Sequence, residues 1–543
     1  MLAASPTESE EYDFIVVGAG PAGCAVAAKL AASALAPKVL LVESGDSNQD
    51  ANLRLSANRQ TQYKNPAQSW AYTSAPEPSL DNRELEVVRG KGLGGSSAIN
   101  FAAWTEGPRD DMERMADVTG DESWRWENVK ERYRKLTAPD VDGSVRINYP
   151  TERNSEILQL LNLFSASGVP VHREANVDNP LGMAIYPLTL HQGLRSTAAD
   201  LVHDLPGNLT IRTSCTVYRV LFDGTVAIGV ITHDGQTLRA RNEVIISCGS
   251  MDSPKILMHS GIGPADQLAA FNIPVLHENA HVGQNFQDHI AVVLGLQRPG
   301  QKHAASAELP NEAATGAVTE AEASRMHSSV DTIAIGFFKS ETTMASDEFE
   351  ALPSEEKKHM KAPTIPHYEI GLSVAGPEHA PLIAAVLLIL QNLQSRGSFT
   401  LQSSDPSVPL EFKTGYLGRL FDQRLAIESM RDVMRYLHSD AFQQDHLEPI
   451  NEPSSTSEED ILRFWRKNVV SACHASGTCS MGTREDGANR GVVDRGFRVY
   501  GVRGLRVADC SVFPFIPSAH IQAHAYQVGL IAAEKILADY QLG

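Results

Sequence analysis

The stretch Tyr12-Asp13-Phe14-Ile15-Val16-Val17-Gly18-Ala19-Gly20-Pro21-Ala22-Gly23 decides the fold. Residues 12–17 are apolar and rich in β-formers, so they predict a strand. The glycine-rich run after them predicts a tight turn, and the alanine-rich residues 24–35 predict a helix. Residues 38–42 predict a second strand, which ends at Glu43. Gly18 permits the turn, Gly20 permits close approach of a pyrophosphate, and Gly23 lets the helix pack on the sheet. The helix N-terminus would present free N–H groups to phosphate. Glu43, twenty residues beyond Gly23, is placed to accept hydrogen bonds from a ribose. This βαβ unit marks an α/β protein with a dinucleotide site, and by itself it does not separate FAD from NAD.

The flanking sequence bounds the rest. The 543 residues, 42% of them hydrophobic, suffice for two merged folding units. A formal net charge of −19 repels nucleic acid and anionic membranes, so neither is an expected partner. The longest apolar run, residues 382–390, is shorter than the roughly 20 residues that span a bilayer and predicts a buried strand. The start is polar and acidic, without a signal-peptide pattern, and the expected location is cytoplasmic. The six cysteines form no CxxC pair, so no metal site or disulfide framework is expected. Residues 204–248 alternate in strand fashion, with turn signals at Asp223-Gly224 and Asp234-Gly235. Residues 367–393 predict sheet, 422–438 a helix, and 526–537 a closing helix. Residues 299–328 lack any period and predict a surface insertion.

A second glycine cluster selects the cofactor. Arg89-Gly90-Lys91-Gly92-Leu93-Gly94-Gly95-Ser96-Ser97-Ala98-Ile99-Asn100, followed by Trp104 and Gly107, resembles the first signature of the glucose–methanol–choline (GMC) oxidoreductases. Residues 249–263 resemble the family's second signature and predict a capped helix. Residues 193–198 and 282–289 also fit, and His289 is read as a structural residue. Residues 474–482, 491–494 and 505–514 resemble the family's catalytic-histidine segment and the segment that returns to the flavin phosphates. His520 and Gln522 stand at the start of the last helix, where the family places a second His or Asn. The pair is the His–His version, similar to aryl-alcohol and glucose oxidases.

The resemblance implies a Rossmann-like FAD-binding domain from residues 1–150, 194–296 and 475–543. An α+β substrate-binding domain would occupy residues 151–193 and 297–474. It implies FAD contacts from Gly18, Gly20, Ala22, Gly23, Glu43 and Ser44, and from Arg89, Leu93, Gly94, Ser96, Asn100, Phe101 and Ala102. Val217 would meet adenine, and Asp509, Cys510, His520, Ile521 and Gln522 would close the site from the C-terminal side. Ile99 stands where some members carry a flavin-linked histidine; isoleucine cannot form that bond, so the expected FAD is non-covalent.

The implied reaction is oxidation of a primary or secondary alcohol to a carbonyl, with oxygen or another electron acceptor. An alcohol gives up hydride readily only as its hydroxyl proton leaves, and a neutral imidazole near pH 7 can take that proton. His474 is assigned as base and His520 as its partner, and the two roles are exchangeable at this level. His524, one turn on, fits the pocket lining or the core equally well. A non-redox lyase or cyclase of the same family, such as a hydroxynitrile lyase, is the alternative.

Overall fold

The computed structural model describes residues 10–48, 50–58, 62–138, 144–150, 153–175, 178–203, 206–299, 332–374, 382–482 and 491–543. The surface insertion expected over residues 299–328 lies almost wholly outside them.

The opening strand Glu11–Val17 pairs in parallel with Val39–Val42 on one side and Thr237–Ile246 on the other. Leu209–Arg212 extends the sheet beyond Val39–Val42, and Leu505–Val507 adds beside the end of Thr237–Ile246. The register places Val17 opposite both Val42 and Ile246, and Ile246 opposite Val507. The carboxyl ends of these strands therefore form one edge, and Gly18, Glu43, Ser247 and Asp509 follow them there. Ligands of open α/β sheets bind along this edge. Val217–Asp223 and Val226–Thr232 continue from the start of Thr237–Ile246 as an antiparallel meander, its turns at the two Asp-Gly steps.

The first helix spans Pro21–Ala31, starting and ending one turn before the expected residues 24–35. Proline suits the first helical position, where its missing N–H would have had no helical partner. The last helix, Gln522–Asp539, is longer at both ends than the expected 526–537, and it packs along the first. A Cβ on Gly529 would lie 2.3 Å from Ala22 O, so the contact needs glycine. The helix Gly249–His259 has no side-chain cap of its own. Asp509, brought from the C-terminal segment, accepts hydrogen bonds from Gly249 N at 2.9 Å and Ser253 Oγ at 2.5 Å instead.

A second, antiparallel sheet runs in the order Ala334–Phe338, Tyr368–Val374, Leu382–Leu390, Ile290–Gln297. Glu448–Ile450 and Val470–Ser471 both add to Ile290–Gln297. The helix Leu420–Leu437 covers this sheet, packing on Leu382–Leu390. Side chains of paired strands share a face, so Phe337, Glu369 and Ile389 line up across the sheet. No described helix is long and apolar enough to cross a membrane. All six cysteines are unpaired, and the described residues contain no cluster placed to hold a metal ion.

Candidate active site

At the edge of the parallel sheet, the two glycine clusters cross. A Cβ on Gly95 would stand 2.7 Å from Gly20 Cα, and one on Gly23 would strike Gly18 O at 1.9 Å. A Cβ on Gly20 would meet nothing within 4 Å, so the outer side of this turn is open. Gly20 also precedes the first helix without a side-chain cap. An open, uncapped helix start lined by glycine fits a pyrophosphate. Glu43 ties the loops together: its carboxylate accepts Ala19 N at 2.9 Å, Gly45 N at 2.8 Å and Gly92 N at 3.0 Å. A carboxylate has about four acceptor positions, so one remains for a ligand hydroxyl. Ser44 Oγ meets Thr216 Oγ1 at 2.6 Å, beside Val217.

The second cluster leads to the catalytic side. Leu93 N donates to Asp46 O and Gly94 N to Ala19 O, both at 2.8 Å. Ser96 Oγ accepts Gly90 N at 3.0 Å. Asn100 links three segments: its amide donates to Gln522 Oε1 at 2.6 Å, and its oxygen accepts Arg195 Nη1 at 2.7 Å and Ala102 N at 3.0 Å. Ala102 is held at φ 65° in the left-handed region. The Phe101 ring is 51% exposed, edge-on to Tyr63 at 5.7 Å between centroids. Cys510 and Ile521 are buried, and Ile99 is buried with no group that could bond to a cofactor. Burial pushes the Cys510 thiol up to about 12.

His474 emerges from a strained turn. Cys473 before it has φ 61°, and Arg89 donates to the Cys473 carbonyl. Asp288 Oδ1 accepts His474 N at 2.8 Å, and its other oxygen accepts the hydroxyls of Tyr416, at 2.5 Å, and Ser471. The side chain of His474 faces His289: the two Nδ1 atoms are 3.0 Å apart, and the rings stand at 90°. On the other side, the His520 ring centroid lies 5.1 Å from that of His474. His520 N donates to Thr105 Oγ1 at 3.0 Å, and its Nε2 meets Glu369 Oε1 at 2.7 Å. Glu369 Oε2 accepts Gln391 Nε2 at 3.2 Å.

The two environments push the imidazoles apart. Burial, reinforced by His520 and His289, holds His474 well below its ordinary pKa. Burial also opposes a charge on His520, but the Glu369 carboxylate overcomes it and raises that pKa. The surroundings thus favour the neutral form of His474 and, relative to a free imidazole, the cation of His520. His524 does not join them. It is buried against Gly107 and edge-on to Tyr133, and burial pulls its pKa down to about 4.

Glu369 is the residue that sequence reading misses. A lone acid inside the apolar run 368–374 is the one available signal, because buried carboxylates are kept where they have a partner.

Two family models, both for GMC oxidoreductase, match residues 12–291 and 394–529. An oxygen-dependent choline dehydrogenase of Chromohalobacter salexigens is 29% identical over 98% of this chain and 95% of its own. Pyranose dehydrogenase 3 of Leucoagaricus meleagris is 30% identical over 98% of this chain and 93% of its own. Among solved structures, a formate oxidase superposes with a TM-score of 0.84 at 24% identity, covering 98% of this chain and 99% of that one. A fungal aryl-alcohol oxidase gives 0.81 at 24% identity, covering 98% and 100%. The chain belongs to the GMC oxidoreductase family, and its α/β fold joins the family's FAD-binding and substrate-binding domains.

Proposed function

We propose that this protein oxidises a primary or secondary alcohol to a carbonyl, with His474 as base and His520 as a charged hydrogen-bond donor to the same oxygen. The observation that carries this reading is the opposite push on two imidazoles whose rings lie 5.1 Å apart. Titratable neighbours whose environments separate their pKa values divide acid and base roles. His289 occupies Nδ1 of His474 and Glu369 occupies Nε2 of His520, so His474 Nε2 and His520 Nδ1 are left for substrate. His474 takes the hydroxyl proton, and His520 holds the oxygen as negative charge builds there.

FAD, held by the crossed glycine clusters, Glu43, Ser44, Val217, Asn100 and the 509–522 segment, would supply the hydride acceptor, with oxygen or another acceptor downstream. Buried Ile99 supports dissociable FAD. Acid precipitation is expected to release all yellow colour into the supernatant; colour retained in the pellet would show a covalent link.

The proposed division assigns the parallel sheet to the FAD-binding unit and the antiparallel sheet to the substrate-binding unit. Among the described residues Ile290–Gln297 pairs with strands of the antiparallel sheet, which favours counting it with the substrate-binding unit. A cavity of about 130 Å³ lies beside Thr105, which holds His520; Trp104, Glu106, Tyr149, Tyr186 and Phe337 line it, and neither His474 nor His520 does.

The test is an anaerobic visible spectrum during titration with aryl, aliphatic and polyol alcohols. Bleaching of the flavin band by one of these alcohol classes is expected, and admitting air then shows whether oxygen is the acceptor. A band bleached by dithionite but by no alcohol would favour a non-redox lyase or cyclase.

A further inference from the structure

His289 is 0% exposed, and its ring makes one hydrogen bond among the described residues, to Nδ1 of His474 at 3.0 Å. Its Nε2 has no partner there. Two nitrogens 3.0 Å apart share a single proton. Two lone pairs would repel across that gap, and so would two N–H groups, so the tautomers of the two rings are locked in opposite senses.

If His289 donates, His474 carries its proton on Nε2 and cannot act as a base. If His289 accepts, His474 Nε2 is bare and can take a proton. Among the described residues no group fixes the tautomer of His289 from its Nε2 side, so its Nδ1 can accept. The backbone supports the arrangement, since neighbouring Asp288 holds the amide of His474 at 2.8 Å and sets the two rings together.

We propose that His289 is a positioning residue whose Nδ1 accepts the Nδ1–H of His474 and so leaves Nε2 of His474 bare toward the reacting hydroxyl. The inference rests on the reading of His474 as base. When the hydroxyl proton moves to Nε2, His474 becomes an imidazolium that keeps its Nδ1 proton. Its bond to His289 is then charge-assisted and stronger than before. His289 neither gains nor loses a proton, and it touches no substrate.

The test is ¹⁵N NMR of the histidine-labelled holoenzyme at neutral pH, without substrate, with His474 assigned by loss of its signals in His474→Gln. The expected tautomer has hydrogen on Nδ1 of His474 and none on Nε2; hydrogen on Nε2 would overturn the proposal. Flavin-reduction rates of two variants then separate chemistry from packing. His289→Leu should slow reduction about 10- to 100-fold, the range for partners that orient a working histidine, with little change in substrate affinity. His289→Asn, whose amide oxygen can accept the same N–H, should recover most of the rate. Equal loss in both variants, or no loss in His289→Leu, would refute the positioning role. If no alcohol bleached the wild-type flavin, the functional reading would fail while the tautomer remained measurable.

Discussion

His474→Ala is expected to leave the protein folded and loaded with FAD while slowing flavin reduction by at least about 100-fold, the lower range for loss of a general base. The fold should survive because the main chain at this position is held independently of the imidazole. Asp288 grips the amide of residue 474, and Arg89 grips the preceding carbonyl. The cofactor should survive because no interaction of the crossed glycine clusters or of Glu43 passes through this side chain. What is lost is the neutral imidazole that burial and its two histidine neighbours keep unprotonated. Anaerobic stopped-flow reduction, with FAD content checked by spectrum, measures the effect. Near-normal reduction in a flavin-loaded variant would remove His474 from the chemistry and leave His520 as the base. Added imidazole entering the vacated space should restore part of the rate, as it would not for a variant that merely misfolds.

The parts of this site that could be read from sequence are those in which a local chain geometry carries the function. A strand, a glycine turn and a helix start are consecutive in sequence, so Gly18, Gly20 and Gly23 announce the pyrophosphate turn before any tertiary contact is known. Glu43 is found the same way, though its structural role is broader than expected: one backbone N–H from each glycine loop, and a third from Gly45, converge on it. His474 and His520 stand out only through resemblance, since a lone histidine has no periodic signature. Their partners are silent for a different reason. Glu369 reaches His520 across 151 residues and His289 reaches His474 across 185, and the face that Glu369 takes depends on the register of the antiparallel sheet. A one-residue slip of a strand would turn such a side chain to the opposite face, and register is not written in any short segment. The same limit explains Asp509. The resemblance assigns it to the cofactor side, and its capping of the helix Gly249–His259 from more than 250 residues away has no local signal.

Glu369→Gln should slow flavin reduction about 10- to 100-fold at pH 7, less than deletion of a donor outright, because a neutral imidazole can still hydrogen-bond the substrate oxygen. The variant keeps the shape of Glu369 and its contact to Gln391 but removes the negative charge that raises the His520 pKa. The sign of the pH effect follows. Under the proposed division of roles, activity needs His474 neutral and His520 protonated, so in the wild type it should be lost on the acid side through the lowered pKa of His474. On the basic side it is lost through the raised pKa of His520. The plateau therefore spans the ordinary histidine value of 6.5. In Glu369→Gln the basic limb should move to lower pH, because burial then acts on His520 without an opposing carboxylate. Acidifying the assay should recover part of the lost rate. Stability should respond in the same sense. The wild-type His520–Glu369 pair stabilises the fold fully below the unfolded histidine pKa, and that contribution is lost as pH rises through the higher folded value. The variant should lack this pH-dependent part. Rate profiles of flavin reduction against pH for the two proteins provide the check. Superimposable basic limbs would mean that Glu369 does not set the charge of His520, and the division of labour between the two histidines would then have to be sought in the substrate itself.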